Sequence, residues 1–476
     1  MSIKKNFLYS SIFTTSNYIF PFITYPYISR VLGVTNIGIC NFVDSIINYF
    51  ILFSMMGIGI IGIREIAEAQ NDQDKLRQTF SSLFWLNAAS TFVSLIVLTV
   101  AIFSVPELYQ YRALMYIGIV RLLSNFFLVD WFYRGIENFK YITSITIAIK
   151  CLYVIAVFLF IKEPGDYPVY YLLTTLMISV NAIFNCSYIH KFTHLGIKNL
   201  KIKKYLSSFL VLGVYSLLTT MYTSFNVAYL GFVTNPTEVG YYTTATKLYT
   251  IIIALYSAFT GVMLPRISSL LADNKIEEFK ILIQKSTSIL FSVAIPIAIF
   301  ACIFSPEIIE IISGKGFEGA ITATRIVMPL ILIIGYEQII VIQILMPLKK
   351  DKAIFVNSII GATAGILLNI LLVASLKNVG SAIVWFMSEI VVLMSAQYFV
   401  QKYTSIKFPI KELARNLFAY IPAIALCILI YFTVPGNVFL RFSVAGIFMA
   451  IYFLSVQKFY LKNEIILSFI YKLMKK

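Results

Sequence analysis

Histidine, charge and paired cysteine are all scarce in this chain. Its 476 residues include only two histidines, His190 and His194, and neither falls inside an apolar run, which argues against a membrane acyltransferase. Charged residues make up 13%, against about 25% in soluble domains, which excludes an ordinary soluble fold. The five cysteines (Cys40, Cys151, Cys186, Cys302 and Cys427) form no CxxC pair. Neither a disulfide framework nor a zinc site is indicated. No GxxxxGK[ST] loop occurs, which argues against direct coupling to ATP. What is abundant is apolar: 59% of residues are hydrophobic, with 40 Phe and 31 Tyr. The chain reads as an all-α polytopic membrane protein. Its first apolar segment begins a few residues in and ends at Arg30 without a small-residue cleavage site, so no cleavable leader is expected.

A membrane span needs about 20 mainly apolar residues. Fourteen segments qualify: 7–30, 37–62, 80–104, 113–133, 141–161, 168–190, 206–231, 239–264, 286–305, 322–347, 353–376, 378–400, 414–433 and 438–458. With the N-terminus cytoplasmic, the inside loops collect 28 of the 38 basic residues and the outside loops six. That imbalance places both termini in the cytoplasm and ascribes the net charge of +16 to topology rather than to nucleic-acid binding. The inside stretch 265–285 is expected to lie on the surface as an amphipathic helix.

The stretch Thr35 to Arg64 has an echo at Thr237 to Arg266, 202 residues later. Thr35 matches Thr237, Gly38 matches Gly240, Gly59 matches Gly261 and Arg64 matches Arg266. Asn41, Ser45, Asn48, Met55 and Gly59 step along one expected helix face. Thr243, Lys247, Thr250, Ala254, Ser257 and Gly261 step along the other. The copies lie six spans apart, so both cross the membrane in one direction. Two six-span lobes related by a pseudo-twofold axis along the membrane normal follow. The N-lobe is 1–195, the C-lobe 196–405, and 406–476 adds two further spans and a cytoplasmic tail. His190 to Lys204 is the basic linker.

A charge at the bilayer centre costs from about 2.5 to over 10 kcal/mol. Arg121, Lys150, Lys247 and Arg325 lie within the expected spans and Arg30 near the outer end of the first. Together they would make a cationic lumen suited to an anion such as a pyrophosphate. Asp44 and Glu337 are candidates for binding a coupling ion or for pairing with those bases. Asp130 sits near a span end, and Glu389 is read as pairing with a neighbour. Pro21 and Pro26 mark the first span as kinked.

Two stretches carry a family resemblance. One is Tyr25-Pro26 followed by Ser29-Arg30-Val31-Leu32-Gly33 and Asn36-Ile37-Gly38; the other is Asp130-Trp131-Phe132-Tyr133-Arg134-Gly135-Ile136-Glu137-Asn138-Phe139-Lys140-Tyr141. With fourteen spans in two lobes, they resemble the Wzx-type oligosaccharide flippases. These form the polysaccharide transporter branch of the multidrug/oligosaccharidyl-lipid/polysaccharide exporter superfamily. The resemblance implies a transporter, not an enzyme. It would move undecaprenyl-diphosphate-linked oligosaccharide from the inner to the outer leaflet of the bacterial cytoplasmic membrane by alternating access. The products are O-antigen, capsule or exopolysaccharide. It implies no cofactor, a cycle driven by an H+ or Na+ gradient or by membrane potential, and a polysaccharide polymerase with its chain-length machinery as partners. It also implies that Arg30 lines the cavity and contacts the pyrophosphate.

A multidrug exporter of the same superfamily is the nearest rival; it would call for an acidic or aromatic pocket in the first lobe. A membrane polysaccharide polymerase or glycosyltransferase is the rival of another class. Against it, no large outside loop is expected, and both histidines fall in the cytoplasmic linker.

Overall fold

The computed structural model describes residues 3–434, 437–463 and 467. The tail lysines Lys472, Lys475 and Lys476 lie outside these, as do the side chains of Ala254, Ser257 and Gly261 in the second repeat copy. Among the described residues every regular element is a helix. The chain forms two compact units, Met1–Gly240 and Tyr241–Lys476.

The first unit holds α1 (Ile3–Met55), α2 (Ile58–Ala69), α3 (Gln73–Ser104), α4 (Pro106–Gln110), α5 (Arg112–Leu128), α6 (Asp130–Gly135), α7 (Phe139–Phe160), α8 (Tyr167–Ile189), α9 (Ile202–Thr223), α10 (Phe225–Val233) and the start of α11 (Pro236–Ala272). The second holds the rest of α11, α12 (Ile276–Ile303), α13 (Ser305–Ser313), α14 (Ala320–Val327), α15 (Leu330–Gln338), a π-helical segment Ile339–Leu345, α16 (Asp351–Tyr403), α17 (Ile410–Thr433) and α18 (Val438–Ser455). The lobes expected from the repeat divide at residue 195. The compact units divide at Gly240, because α9 packs on α1, α2 and α3.

Ten helical stretches among the described residues are long and apolar enough to cross a membrane. Two of them, Leu8–Ala69 and Asp351–Tyr403, each cover two expected spans. A straight 53-residue helix would run about 80 Å, far beyond a hydrocarbon core of about 30 Å. Both are broken where the expected spans meet. In α1 the break is Gly33 (φ 74°), a backbone setting open to glycine at little cost. In α16 it is Lys377 (φ 53°), where a side chain bears the strain. The outer faces are apolar: Leu371 is 70% and Phe432 79% exposed, which suits lipid and not water.

Several expectations change. The stripe from Asn41 to Gly59 does not stay on one helix, because Met56 turns left-handed (φ 39°) between α1 and α2. Gly57 is needed there, since a β-carbon on it would meet the Phe209 carbonyl of α9. No separate surface helix occupies 265–285. Instead α11 and α12 extend to a tight turn at Asn274 (φ 55°), because the apolar face continues through Ile267, Leu270, Phe279 and Ile283. The first span continues as helix through Pro21 and Pro26, with Thr24 Oγ1 donating to the Phe20 carbonyl at 3.1 Å.

The motif around Trp131 builds the core of the first unit. Trp131, Phe132 and Tyr133 are all buried with Ile58, Ile61, Ile66, Phe80, Leu83, Tyr205 and Phe209. Trp131 stacks on Phe80 at 5.7 Å and covers Gly62, where a β-carbon would strike the indole. The Tyr133 hydroxyl donates to the Asn185 carbonyl at 2.5 Å, and Asn185 Nδ2 donates to Asp130 Oδ1 at 3.0 Å. Asp130 is thus an internal helix tie. Glu137 accepts from Asn6 Nδ2 at 3.0 Å, fixing the start of α1.

The linker is strapped onto α3. Gln78 Nε2 donates to the Asn199 carbonyl (2.8 Å) and Trp85 Nε1 to the Gly196 carbonyl (3.1 Å). The Ser81 and Ser82 hydroxyls accept from the Gly196 and Lys201 N–H groups at 2.8 and 2.9 Å.

Candidate functional site

In the first unit, α5 carries Arg121 against α1. Its Nη1 lies 2.6 Å from Asp44 Oδ1, with the two side chains 16% and 29% exposed. Asn48, one turn beyond Asp44, donates Nδ2 to Asp44 Oδ2 at 3.0 Å. The guanidinium is not used up, because its Nε is buried and receives no partner. Tyr171 of α8 lies beside it. Next along the bundle, the Tyr153 hydroxyl of α7 hydrogen-bonds with Tyr170 and Thr24. In hydrocarbon such polar groups persist only with one another as partners.

Lys150 of α7 is 6% exposed. Its Nζ donates to Ser16 Oγ at 3.0 Å and to Asn17 Oδ1 at 2.6 Å, and lies 5.8 Å from the Phe20 ring centroid. No carboxylate among the described residues forms an ion pair with it. Neutral dipoles alone hold this cation, which leaves the region electropositive.

Arg30 is exposed and turns Nη1 back to the Pro26 carbonyl of its own helix at 2.6 Å, among other interactions. Arg30, Arg121 and Lys150 therefore share one unit, with Arg121 held by Asp44 and Lys150 by Ser16 and Asn17. Lys247 is half-buried on α11 and also has partners. Arg325, at the end of α14, donates Nε to the Cys302 carbonyl (3.2 Å) and to Ser305 Oγ (2.9 Å), pinning the turn between α12 and α13. Glu337 on α15 meets Glu389 of α16, so it pairs with an acid and not with a base.

Residue-by-residue reading missed the tyrosines Tyr153, Tyr170 and Tyr171, and the asparagines Asn181 and Asn185. Asn181 donates to Thr146 Oγ1 at 3.0 Å. The signal was present: two asparagines four apart within one span, on one helix face.

Residues 3–271 match the family described as polysaccharide biosynthesis protein. The chain belongs to that family. The match takes in Arg30, Asp44, Arg121, Lys150 and Lys247 and stops short of Arg325, Glu337 and Glu389. The chain is also similar to a protein of Escherichia coli (strain K12) named for O-antigen transport: 25% identical over 407 residues, 84% of this chain and 97% of the relative. It is also similar to Agl15 of Haloferax volcanii, named for flipping in low-salt glycan biosynthesis, at 23% over 192 residues, 40% of each chain. Among solved structures, the lipid II flippase MurJ in an inward closed conformation aligns with a TM-score of 0.72 at 16% identity, over 93% of this chain and 99% of that one. An inward-facing multidrug transporter of the MATE family aligns at 0.59 and 14% identity, over 85% and 97%. These structural likenesses establish the fold: an all-α, two-lobed transporter architecture. The family and its motifs make the chain a membrane transporter of the polysaccharide flippase type and not an enzyme.

Proposed function

We propose that this protein moves an undecaprenyl-diphosphate-linked oligosaccharide from the cytoplasmic to the outer leaflet of the bacterial cytoplasmic membrane, by alternating access, with both termini in the cytoplasm. The relatives named for O-antigen transport and glycan flipping support the substrate class. The observation that carries the reading is Lys150: a buried ammonium held by two neutral oxygens, with its positive charge unneutralised.

A diphosphate head group cannot cross hydrocarbon alone, because its charges lose their hydration. Fixed cations replace that hydration. In this mechanism Arg30, exposed and at the outer end of the first span, is the last of these cations that the head group meets. Arg121 offers the edge of its guanidinium that Asp44 leaves unfilled, and a bidentate phosphate contact suits that edge. Lys150 and Lys247 add point charges, and the polyprenyl tail stays in lipid. Arg325 serves at a distance, by holding its helix turn. Polymerase and chain-length machinery would receive the flipped unit.

The test is accumulation of surface polysaccharide in a strain that depends on this protein, with Arg121→Gln and Lys150→Met introduced separately at matched protein level. Loss of polymer in both is expected. Normal polymer in both would remove these residues from the path and end this reading.

A further inference from the structure

The basic linker plays no part in the head-group reading. Between α8 and α9 the chain runs without helix, and side chains of α3 hold it: Gln78 and Trp85 donate to its carbonyls, while Ser81 and Ser82 accept from its N–H groups. Arg77 of the same helix reaches over it. A β-carbon on Gly196 would lie 3.5 Å from Arg77 Nε. A loop tied at several points is already ordered, so binding to it costs less entropy.

The linker is cationic. From Tyr167 to Thr237 the chain has no acidic residue, and all five lysines of that stretch fall between Lys191 and Lys204. Lys204 pairs with Glu65 at 3.2 Å, and Lys191 lies over the Tyr188 ring. Arg77, Lys198, Lys201 and Lys203 are exposed and form no ion pair among the described residues. The backbone adds donors. The N–H groups of Ile197, Lys198, Asn199 and Leu200 meet no acceptor among the described residues. Asn199 is left-handed (φ 59°), and successive N–H groups in such a turn form a concavity suited to an anion.

The same segment carries apolar side chains that the unit leaves uncovered. Ile197 is 78% and Leu195 42% exposed, and Leu206, early in α9, is exposed as well. Trp85, whose indole N–H sits on the Gly196 carbonyl, is a residue type that favours the membrane–water boundary. A free phosphate or a soluble acidic partner would meet the cations and leave Ile197 in water. Anionic head groups with acyl chains beneath them satisfy both features at once.

We propose that the linker is a docking surface for anionic phospholipid. Arg77, Lys198, Lys201 and Lys203 take the head-group phosphates, and Leu195 and Ile197 enter the acyl boundary. The join between α8 and α9 is thereby held at the bilayer surface. This goes beyond the transport reading and does not need it. Only the choice of leaflet, the cytoplasmic one, rests on the orientation given there.

The experiment is hydrogen–deuterium exchange on the full chain in nanodiscs of phosphatidylcholine, with or without added phosphatidylglycerol. Phosphatidylglycerol should slow exchange at residues 197–200 several-fold. The triple variant Lys198→Gln, Lys201→Gln, Lys203→Gln should lose that protection. The triple variant Lys402→Gln, Lys407→Gln, Lys411→Gln, which removes the same charge from exposed lysines of another basic stretch, should keep it. Ile197→Ser, with all charges intact, should lose part of it. Exchange in the core around Trp131 reports that each variant is folded. Equal exchange in both lipids, or equal loss in both triple variants, overturns the proposal and leaves these lysines with a topological role alone. Equal protection by inorganic phosphate in phosphatidylcholine nanodiscs also overturns it, making this a site for soluble anions. Full protection in Ile197→Ser overturns the seating in the acyl boundary. A nanodisc offers the lipid in both leaflets, so this result is independent of the orientation and of any flipping measurement.

Discussion

Thr35 and Thr237, matched positions of the internal repeat, touch each other: their hydroxyls are 2.9 Å apart. A residue meets its own repeat mate only where the two copies of the motif come together. The next matched pair does the same, reciprocally. A β-carbon on Gly38 would run into the Pro236 carbonyl, and one on Gly240 into the Val34 carbonyl. The small residues of the motif thus allow two backbones into contact, as small residues do between membrane helices. Gly38→Val or Gly240→Val should abolish accumulation of folded protein. Thr35→Val should cost only about 0.5–1 kcal/mol. Expression level and thermal unfolding in detergent distinguish these outcomes.

The Arg121–Asp44 pair gives a second prediction. Asp44→Asn leaves the guanidinium without its counter-charge and should destabilise by about 1–2 kcal/mol, below the range for a fully buried pair because both groups are partly exposed. Adding Arg121→Gln should recover part of that loss. A double-mutant cycle on unfolding temperatures reads the coupling; strictly additive effects would show the two groups to be independent.

Lys150 separates stability from transport. Lys150→Met removes an uncompensated buried charge and keeps the stem, so the protein should be as stable as the parent or slightly more stable. Its polysaccharide output should nevertheless fall. Lys150→Arg, which retains charge, should restore part of the output. A destabilised methionine variant would instead make the ammonium a structural tie to Ser16 and Asn17.

The aromatic core around Trp131 is expected to be structural. Trp131→Ala should cost about 3–5 kcal/mol, the range for truncating a large buried ring. Tyr133→Phe loses one buried hydrogen bond to Asn185 and should cost about 1 kcal/mol. Thermal melts report both; normal transport per folded molecule in Tyr133→Phe would confine this motif to packing.

Much of this was legible in the chain because it is local or periodic. Apolar length anticipated the ten long apolar helical stretches among the described residues, including the junction at Lys377. The offset of 202 located the Thr35–Thr237 and Gly38–Gly240 matches before any contact was known. Partner choice was not legible. Arg121 meets Asp44 across 77 residues of sequence, and Lys150 meets Ser16 and Asn17 across 134 and 133. Such pairings depend on which helices are neighbours, and a hydropathy pattern carries no information on that. Glu337 illustrates the point: its sequence setting suggests a coupling ion or a basic partner, yet packing sets it beside Glu389. Arg325, counted with the cations of the lumen, is occupied by Cys302 and Ser305. The break at Met56 escaped notice because its cause, the close approach of Phe209, lies some 150 residues away in sequence.

Every fully buried side chain of the core around Trp131 lies at or before Phe209, and the strap from Gly196 to Lys201 fastens back onto α3. A ribosome that has released residue 209 has therefore already delivered all the buried side chains of that cluster. The early helices can close around it while the remainder is still being translated. Mutations in the second unit would then lower activity without leaving the amino-terminal portion exposed to membrane proteases, whereas lesions at Gly62, Phe80 or Trp131 would condemn the nascent chain before its second repeat copy is made.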